Sequence, residues 1–268
     1  MTFKTSLRET CFRIWYWYVN KADKNGEILF MNFGYHDQDQ LMTTDEKSEP
    51  DKYSLQLYLH LINAVETGNK DIVEIGCGRG GGLSHIARNF PVASALGIDL
   101  NKRAVRFCNR NYKVNGLTFV RGDAQKLGLE NDSCDIVINV ESSHRYQDMI
   151  LFLKEVFRIL RPGGYFLLTD FRYDHEMEGL KKDLEESGLS VVLERNINRE
   201  VLAALALDDG RRRDLIKRLA PKFLHNLALN FAGTVGSDTY NKFASNRFVY
   251  FSYVLKKEST LNSGNLKF

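Results

Sequence analysis

Five glycines fall within the seven positions 76–82 of the run Val73-Glu74-Ile75-Gly76-Cys77-Gly78-Arg79-Gly80-Gly81-Gly82, and no other stretch constrains the fold as much. Ile72, Val73 and Ile75 ahead of the loop read as a short buried strand, while Leu83, Ile86 and Ala87 behind it supply the apolar positions of a helix. The chain must turn sharply between the two. Glycine tolerates the positive φ angles of such a turn and, lacking Cβ, lets helix N-terminal amides approach a ligand closely. Strand, glycine turn and helix in that order predict a nucleotide-cofactor loop.

The loop alone does not name its ligand. Gly76-x-Gly78-x-x-Gly81 also meets the dinucleotide fingerprint, and Asp99 follows at about the ~20-residue spacing which that fingerprint expects. Later features narrow the choice. Thr118-Phe119-Val120 reads as a third strand ending in Arg121-Gly122-Asp123-Ala124, which puts a second carboxylate at the same sheet edge. Strands are expected at 71–75, 95–99, 118–121, 135–140 and 164–170, with helices near 82–89, 102–115 and 148–160 and a short turn at 125–128. Such alternation predicts a parallel sheet with right-handed crossovers. Before it come a helix at 8–21, a tight segment at 31–36, a polar loop at 38–50 and a helix at 53–66. After it come a helix at 176–187, a strand at 189–196, a helical stretch at 199–231 broken near Asp208-Asp209-Gly210 and at Pro221, and a strand at 248–255.

Composition excludes several classes. With 43% hydrophobic and 26% charged residues in 268, the chain has the balance of a globular protein and can hold one sizeable α/β domain with an insertion. A net charge of +3 from 37 basic and 34 acidic residues does not suggest nucleic acid as a partner. Arg211-Arg212-Arg213 is read as solvated helix surface, and Arg79 as a surface loop residue with a carboxylate contact as its competing role. Cys11, Cys77, Cys108 and Cys134, and His85, His144, His175 and His225, lack metal-ligand spacing, and a reduced, cytoplasmic protein is expected. No apolar run approaches the ~18 residues of a membrane span, and the start lacks a secretory h-region. The crowded aromatics Phe12, Trp15, Tyr16, Trp17 and Tyr18 read as core or as the subunit interface of a homo-oligomer, with a pocket wall or peripheral membrane contact as the other readings.

Glu74-x-Gly76-x-Gly78, the acid Asp99 ending the second strand, Gly122-Asp123-Ala124 after the third and Leu160-Arg161-Pro162-Gly163-Gly164 before the fifth resemble the recurring elements of the class I S-adenosylmethionine-dependent methyltransferases. A closer resemblance, to the phthiotriol/phenolphthiotriol dimycocerosate methyltransferases, runs through Trp15-Tyr16-Trp17-Tyr18, Met31-Asn32-Phe33-Gly34-Tyr35, Arg121-Gly122-Asp123-Ala124, Val140-Glu141-Ser142-Ser143-His144 and Ile197-Asn198-Arg199-Glu200-Val201-Leu202. Departures fall in the lid and the C-terminal tail. The resemblance implies an α/β, Rossmann-like seven-stranded sheet with the last strand antiparallel. It divides the chain into N-terminal helices and a cofactor-closing segment at 1–68, an S-adenosylmethionine-binding core at 69–197, a helical lid at 198–245, a final core strand at 246–258 and a flexible tail at 259–268.

Roles then follow for individual residues. Asp99, at the carboxyl edge where open α/β sheets bind ligands, suits two ribose hydroxyls because a carboxylate accepts two hydrogen bonds. Asp123 and Ala124 are expected at the adenine, with Leu100 beside Asp99. Glu74, Gly76, Cys77, Gly78 and Asn139 are expected at the methionine side, and Tyr35 in a segment closing over the cofactor. Methylating a hydroxyl needs a base, and His144, with an ordinary pKa near ~6.5, can take a proton at neutral pH. Asp170 at the end of the fifth strand can orient it, and Glu141 can do similar work or touch the cofactor. The acceptor is expected to be a bulky, partly apolar small molecule. Methylation of oxygen is what the closer resemblance implies, with N- or C-methylation of a natural product as the alternative; on the residues alone, a nicotinamide oxidoreductase and a catalytically silent cofactor-binding protein also stay open.

Overall fold

Alternation within the central strands decides which face each residue serves. β1 (Asp71–Ile75) sends Ile72 and Glu74 to one side and Val73 and Ile75 to the other, and β4 (Cys134–Val140) divides Ile136 and Ile138 from Val137 in the same way. Strands apolar on both faces belong inside a parallel sheet covered by helices. The computed structural model describes residue 23, residues 26–37 and residues 50–259. The expected helix at 8–21 and nearly all of the loop at 38–50 and the tail at 259–268 therefore lie outside the described residues.

β2 (Ser94–Asp99), β3 (Leu117–Arg121), β5 (Leu160–Tyr173), β6 (Ser190–Asn196) and β7 (Phe248–Lys256) complete a seven-stranded sheet in the order β3-β2-β1-β4-β5-β7-β6. The first five strands pair in parallel, and β7 runs antiparallel between β5 and β6. The Rossmann-like sheet with its antiparallel last strand is thus present. β5 starts at Leu160, earlier than expected, because the chain extends directly from the preceding helix; its pairing is irregular where Gly163 takes φ 84.

On one face, α1 (Lys52–Ile62), α2 (Gly81–Asn89) and α3 (Lys102–Asn111) bury Leu57 and Leu61, Leu83 and Ile86, and Val105 and Phe107 with Ile72 and Ile136. On the other, α4 (Met149–Ile159) and α5 (Met177–Glu186) bury Phe152, Val156, Leu180 and Leu184 with Val73 and Val137. Side-chain caps place the helix starts: Asn101 accepts from Arg103 N at 2.9 Å and Asp148 from Leu151 N at 2.9 Å. Among the described residues no helix is long and apolar enough to cross a membrane.

Past β6 the chain forms α6 (Asn198–Leu207), α7 (Asp209–Leu219), α8 (His225–Phe231) and α9 (Asp238–Ala244). The breaks at Asp208 and Pro221 match the expectation, and α9 falls within the expected helical region 198–245 though past the helical stretch expected at 199–231. Asn198 locks this group to the sheet, accepting from Tyr250 N at 2.5 Å and donating to Phe248 O at 2.7 Å and Phe243 O at 3.1 Å. Phe243, 0% exposed, sits between four rings, with centroids at 5.3 Å from Phe33, 5.6 Å from Phe171, 5.4 Å from Phe248 and 5.8 Å from Tyr250. Phe243→Ala should lower unfolding free energy by about 3–5 kcal/mol, the range for emptying a buried phenylalanine site, in urea titrations; a loss below about 1 kcal/mol would mean the aromatic cluster does not anchor α9.

Candidate active site

The carboxyl ends of β3, β2, β1, β4 and β5 open on one cleft of about 1150 Å³. Its floor is the glycine loop. Gly76, Gly78 and Gly80 have φ of 76, 53 and 72, values that only glycine adopts without strain, and a Cβ on Gly76 would collide with Ser142 Oγ. Gly76 N and Cys77 N both donate to Ile98 O, at 2.7 and 3.1 Å. Gly78 N donates to Asp99 Oδ2 at 2.8 Å and Asn101 N to Asp99 Oδ1 at 2.7 Å. Burial raises the Asp99 carboxyl above its ordinary range, against those two N–H donors. Each Asp99 oxygen keeps acceptor capacity beyond the one N–H it receives.

Of the expected site residues, Gly76, Cys77, Gly78, Asp99, Leu100, Asp123, Ala124, Glu141 and His144 line the cleft. Asp123 is exposed in a turn and accepts from Gln125 N at 3.0 Å. Leu100 is 63% exposed, its carbonyl accepting from Arg121 Nε at 3.2 Å. Asn139 and Glu74 sit behind the lining, both 0% exposed. Asn139 Nδ2 donates to Ile75 O at 2.8 Å and lies 2.8 Å from Ser142 Oγ and 3.0 Å from Tyr146 Oη. Glu74 Oε1 accepts from the Tyr58 hydroxyl at 2.8 Å, whereas Oε2 is buried with no hydrogen-bond partner among the described residues. Burial outweighs that hydrogen bond and pushes the Glu74 carboxyl up to about 7. Tyr35 is placed off the cleft, stacked 4.4 Å from His60, and burial pushes its hydroxyl up to about 12.

His144 follows β4 in a one-turn 3-10 helix (Ser143–Arg145). Its Nδ1 is 2.7 Å from Asp170 Oδ1, and its backbone N–H donates to Asp170 Oδ2 at 2.9 Å. Asp170, 0% exposed, also accepts from Ser143 Oγ at 2.6 Å and Phe171 N at 2.8 Å, with Arg172 Nη1 at 3.3 Å. Burial opposes ionisation of Asp170, but His144, Arg172 and the Ser143 hydroxyl together hold its carboxyl well below the usual range. The imidazole is pushed the opposite way: burial lowers the His144 pKa, against the pull of Asp170. A neutral ring beside a carboxylate acceptor must donate through Nδ1–H, which makes Nε2 its basic nitrogen.

Sequence reasoning missed three contributors. Arg79, expected at the surface, is 2% exposed, pairs with Asp23 at 2.9 Å and lies 3.6 Å over the Phe107 ring; Asp23 in turn receives Glu27 N and Ile28 N at 2.9 and 2.8 Å. A loop arginine looks solvated unless its partner is known. Arg212, in a basic run read as helix surface, is buried, with Nη2 on Asn32 O at 3.3 Å and Phe33 O at 3.0 Å and Nε on Asp208 Oδ2 at 2.9 Å. Tyr146 carried no local signal. Leu29, Phe30, Met31 and Asn32 wall the cleft, whereas among the described residues none of 198–245 lines it. The helices expected to cover the cleft as a lid therefore supply none of its lining; Arg212 ties them to the 29–33 segment through the carbonyls of Asn32 and Phe33.

A methyltransferase-domain family model matches residues 73–168. The phthiotriol/phenolphthiotriol dimycocerosates methyltransferase of Mycobacterium tuberculosis is 34% identical over 255 residues, covering 95% of this chain and 94% of that protein. The fatty-acid O-methyltransferase of Mycolicibacterium smegmatis is 37% identical over 212 residues, covering 79% of this chain and 77% of that protein. Among solved structures, the cyclase SpnF aligns with a TM-score of 0.68 at 17% identity, over 90% of this chain and 92% of its own. The geranyl diphosphate C-methyltransferase of Streptomyces coelicolor, solved with S-adenosyl-L-homocysteine, aligns with a TM-score of 0.64 at 14% identity, over 90% and 98%. Likeness at those identities speaks for the fold alone.

Glu141 gives this site a pH signature. Burial, against hydrogen bonds from the Tyr250 hydroxyl at 2.5 Å and Phe33 N at 2.6 Å, pushes its carboxyl up to about 8 from an ordinary 4.5. The folded chain therefore keeps a proton that the unfolded chain has released, and stability must fall as pH rises through that window. Urea midpoints at pH 5 and pH 8 should show wild type losing stability relative to Glu141→Gln, which does not titrate; parallel profiles would mean that Glu141 is ionised in the folded state.

Proposed function

Because the chain belongs to the S-adenosylmethionine-dependent methyltransferases, in the family of the phthiotriol/phenolphthiotriol dimycocerosates methyltransferases, we propose that it methylates a hydroxyl oxygen of a bulky, partly apolar small molecule with His144 as the base. Membership sets the nicotinamide reading aside. The observation that carries the proposal is His144 on the cleft wall, backed 2.7 Å away by the buried carboxylate of Asp170. S-adenosylmethionine supplies an activated methyl group on a sulfonium, so the chain's own work is to bind, align and remove a proton.

Asp99, with acceptor capacity left on both oxygens, would hold the two ribose hydroxyls, and Asp123 with Ala124 the adenine, beside Leu100. Gly76, Cys77 and Gly78 would lie along the methionine part, with Glu74 and Asn139 fixing the loop from behind. Tyr35 would pin the N-terminal segment from outside the cleft. His144 Nε2 would take the acceptor's proton while Asp170, already anionic, stabilises the imidazolium and fixes its ring. Glu141, occupied by Phe33 and Tyr250, would support the site rather than share the proton. The helices of 198–245 would act on the cleft through residues 29–33.

A carboxylic acid is the competing acceptor, favoured by the fatty-acid relative; it is already ionised and would need no base. The two readings separate on one variant. For a hydroxyl acceptor, His144→Ala should lower kcat by about 10²- to 10⁴-fold and leave S-adenosylhomocysteine affinity unchanged in calorimetry, whereas undiminished turnover would transfer the assignment to a carboxylate. Since the imidazole pKa is lowered, the base form persists below the ordinary histidine range, and the acid limb of kcat should lie below about 6.5. Asp99→Ala should weaken cofactor binding by about 1.5–3 kcal/mol, the span for hydrogen bonds to a charged group; full affinity in a folded variant would move the ribose elsewhere.

A further inference from the structure

Strand order assigns the two halves of the cleft. Neighbouring strands lie about 4.8 Å apart and β3, β2, β1, β4 and β5 stand in that sequence, so Asp123, Asp99 and the glycine loop occupy one half. The end of β5 and the helix α5 border the other, with His144 between. That second half is walled by Phe171, Phe248 and, on α5 and its first turn, Glu176, Gly179, Leu180 and Asp183. The last four are spaced i, i+3, i+4 and i+7, a single helix face.

Gly179 does not belong on that face for any internal reason. Glycine inside a helix is less stable than alanine, through the freedom it loses on folding. Its φ is outside the left-handed region, so the backbone would accept a side chain. A Cβ built on it meets nothing within 4 Å, so no neighbour excludes one either. Gly82 on α2 is the contrast, since its Cβ would collide with the Tyr58 ring. The missing side chain at 179 leaves open volume in the half of the cleft beyond His144. Leu180, Phe171 and Phe248 make that volume apolar. Arg172 turns inward, to Ser143 Oγ at 2.9 Å and Phe171 O at 2.8 Å, while Glu176 and Asp183 present carboxylates that disfavour an anion there.

We propose that Gly179 sets the size of acceptor the enzyme admits, the open face of α5 receiving the uncharged apolar body of the molecule whose oxygen reaches His144. This rests on the acceptor reading above. The test compares wild type with Gly179→Ala, Gly179→Leu and Gly210→Leu, the last a helical position on α7 with equally open surroundings and outside the cleft. Calorimetry measures S-adenosylhomocysteine binding, and fluorescence measures binding of prodan, an uncharged naphthalene ketone, to the S-adenosylhomocysteine complex. Gly179→Leu should bind S-adenosylhomocysteine as wild type does and prodan at least tenfold more weakly. Gly179→Ala should lie between with a raised melting temperature, and Gly210→Leu should match wild type. Wild-type prodan affinity in Gly179→Leu, equal weakening in Gly210→Leu, loss of S-adenosylhomocysteine binding by Gly179→Leu, or no prodan binding by wild type would each overturn the assignment. Both affinities are read without turnover, so the result stands whichever atom of the acceptor is methylated.

Discussion

One carboxyl group holds three distant stretches of chain together. Glu141 follows β4 at φ 45, a left-handed conformation that is strained for a residue with a side chain. From there Oε1 accepts from Phe33 N and the Tyr250 hydroxyl, at 2.6 and 2.5 Å. Residues 29–32 wall the cleft because the segment is pinned at Phe33, and Arg212 grips the same place from the far side through the carbonyls of Asn32 and Phe33. Buried polar groups of this kind stabilise a fold only when each has its partners, and removing one strands the others. The N-terminal segment, the end of β4, β7 and the helices after β6 therefore form one coupled body around the cleft.

The glycine-loop half of the cleft depends on a second long-range tie. The Arg79–Asp23 ion pair is buried on both sides, with side chains 1% and 1% exposed, and joins the glycine loop to the segment leading into Leu29. Packing of the Arg79 guanidinium on Phe107 carries the tie to α3. Burial lowers the Arg79 pKa, against the attraction of Asp23, and a cation in such a place persists through its partner. The loop's shape is thus set by its glycines, while its position relative to the cleft wall is set by charges that lie 56 residues apart in sequence.

That division explains what was legible in the chain. Gly76, Gly78 and Asp99 announce themselves because glycine at a turn and an acid at a strand end are local signals, and strand alternation in 71–75 and 135–140 is a local period. The antiparallel place of β7 between β5 and β6 came with the family resemblance. Arg79 and Arg212 were misread for one reason: an arginine in a polar stretch is solvated by default, and only the fold brings Asp23 or the carbonyls of residues 32 and 33 to it. Tyr35 was expected at the cofactor, yet its ring is taken up by His60, a contact across elements that no spacing in the sequence reports. The region 198–245 reads as helical and broken at Asp208 and Pro221, but its place away from the cleft lining depends on packing against β7, through Asn198 and Phe243.

The carboxyls of Glu141, just past β4, and Asp170, three residues inside the end of β5, show how the site sets its charge. Glu141 and Asp170 are both buried, and the Asp170 charge adds to burial in raising the Glu141 pKa. Their fates differ because their partners do. Glu141 receives two neutral donors, so burial wins and pushes its carboxyl up to about 8; Asp170 receives Ser143, two backbone N–H groups, the imidazole and the Arg172 guanidinium, so ionisation wins. Near neutrality the pair then carries about one negative charge, located under the histidine, in keeping with the rule that neighbouring acids with divergent environments divide their roles. Two anions side by side would repel and would pull His144 toward its protonated form. With Glu141 neutral, the anion at Asp170 serves the imidazole, and His144 is left in the form that can accept a proton.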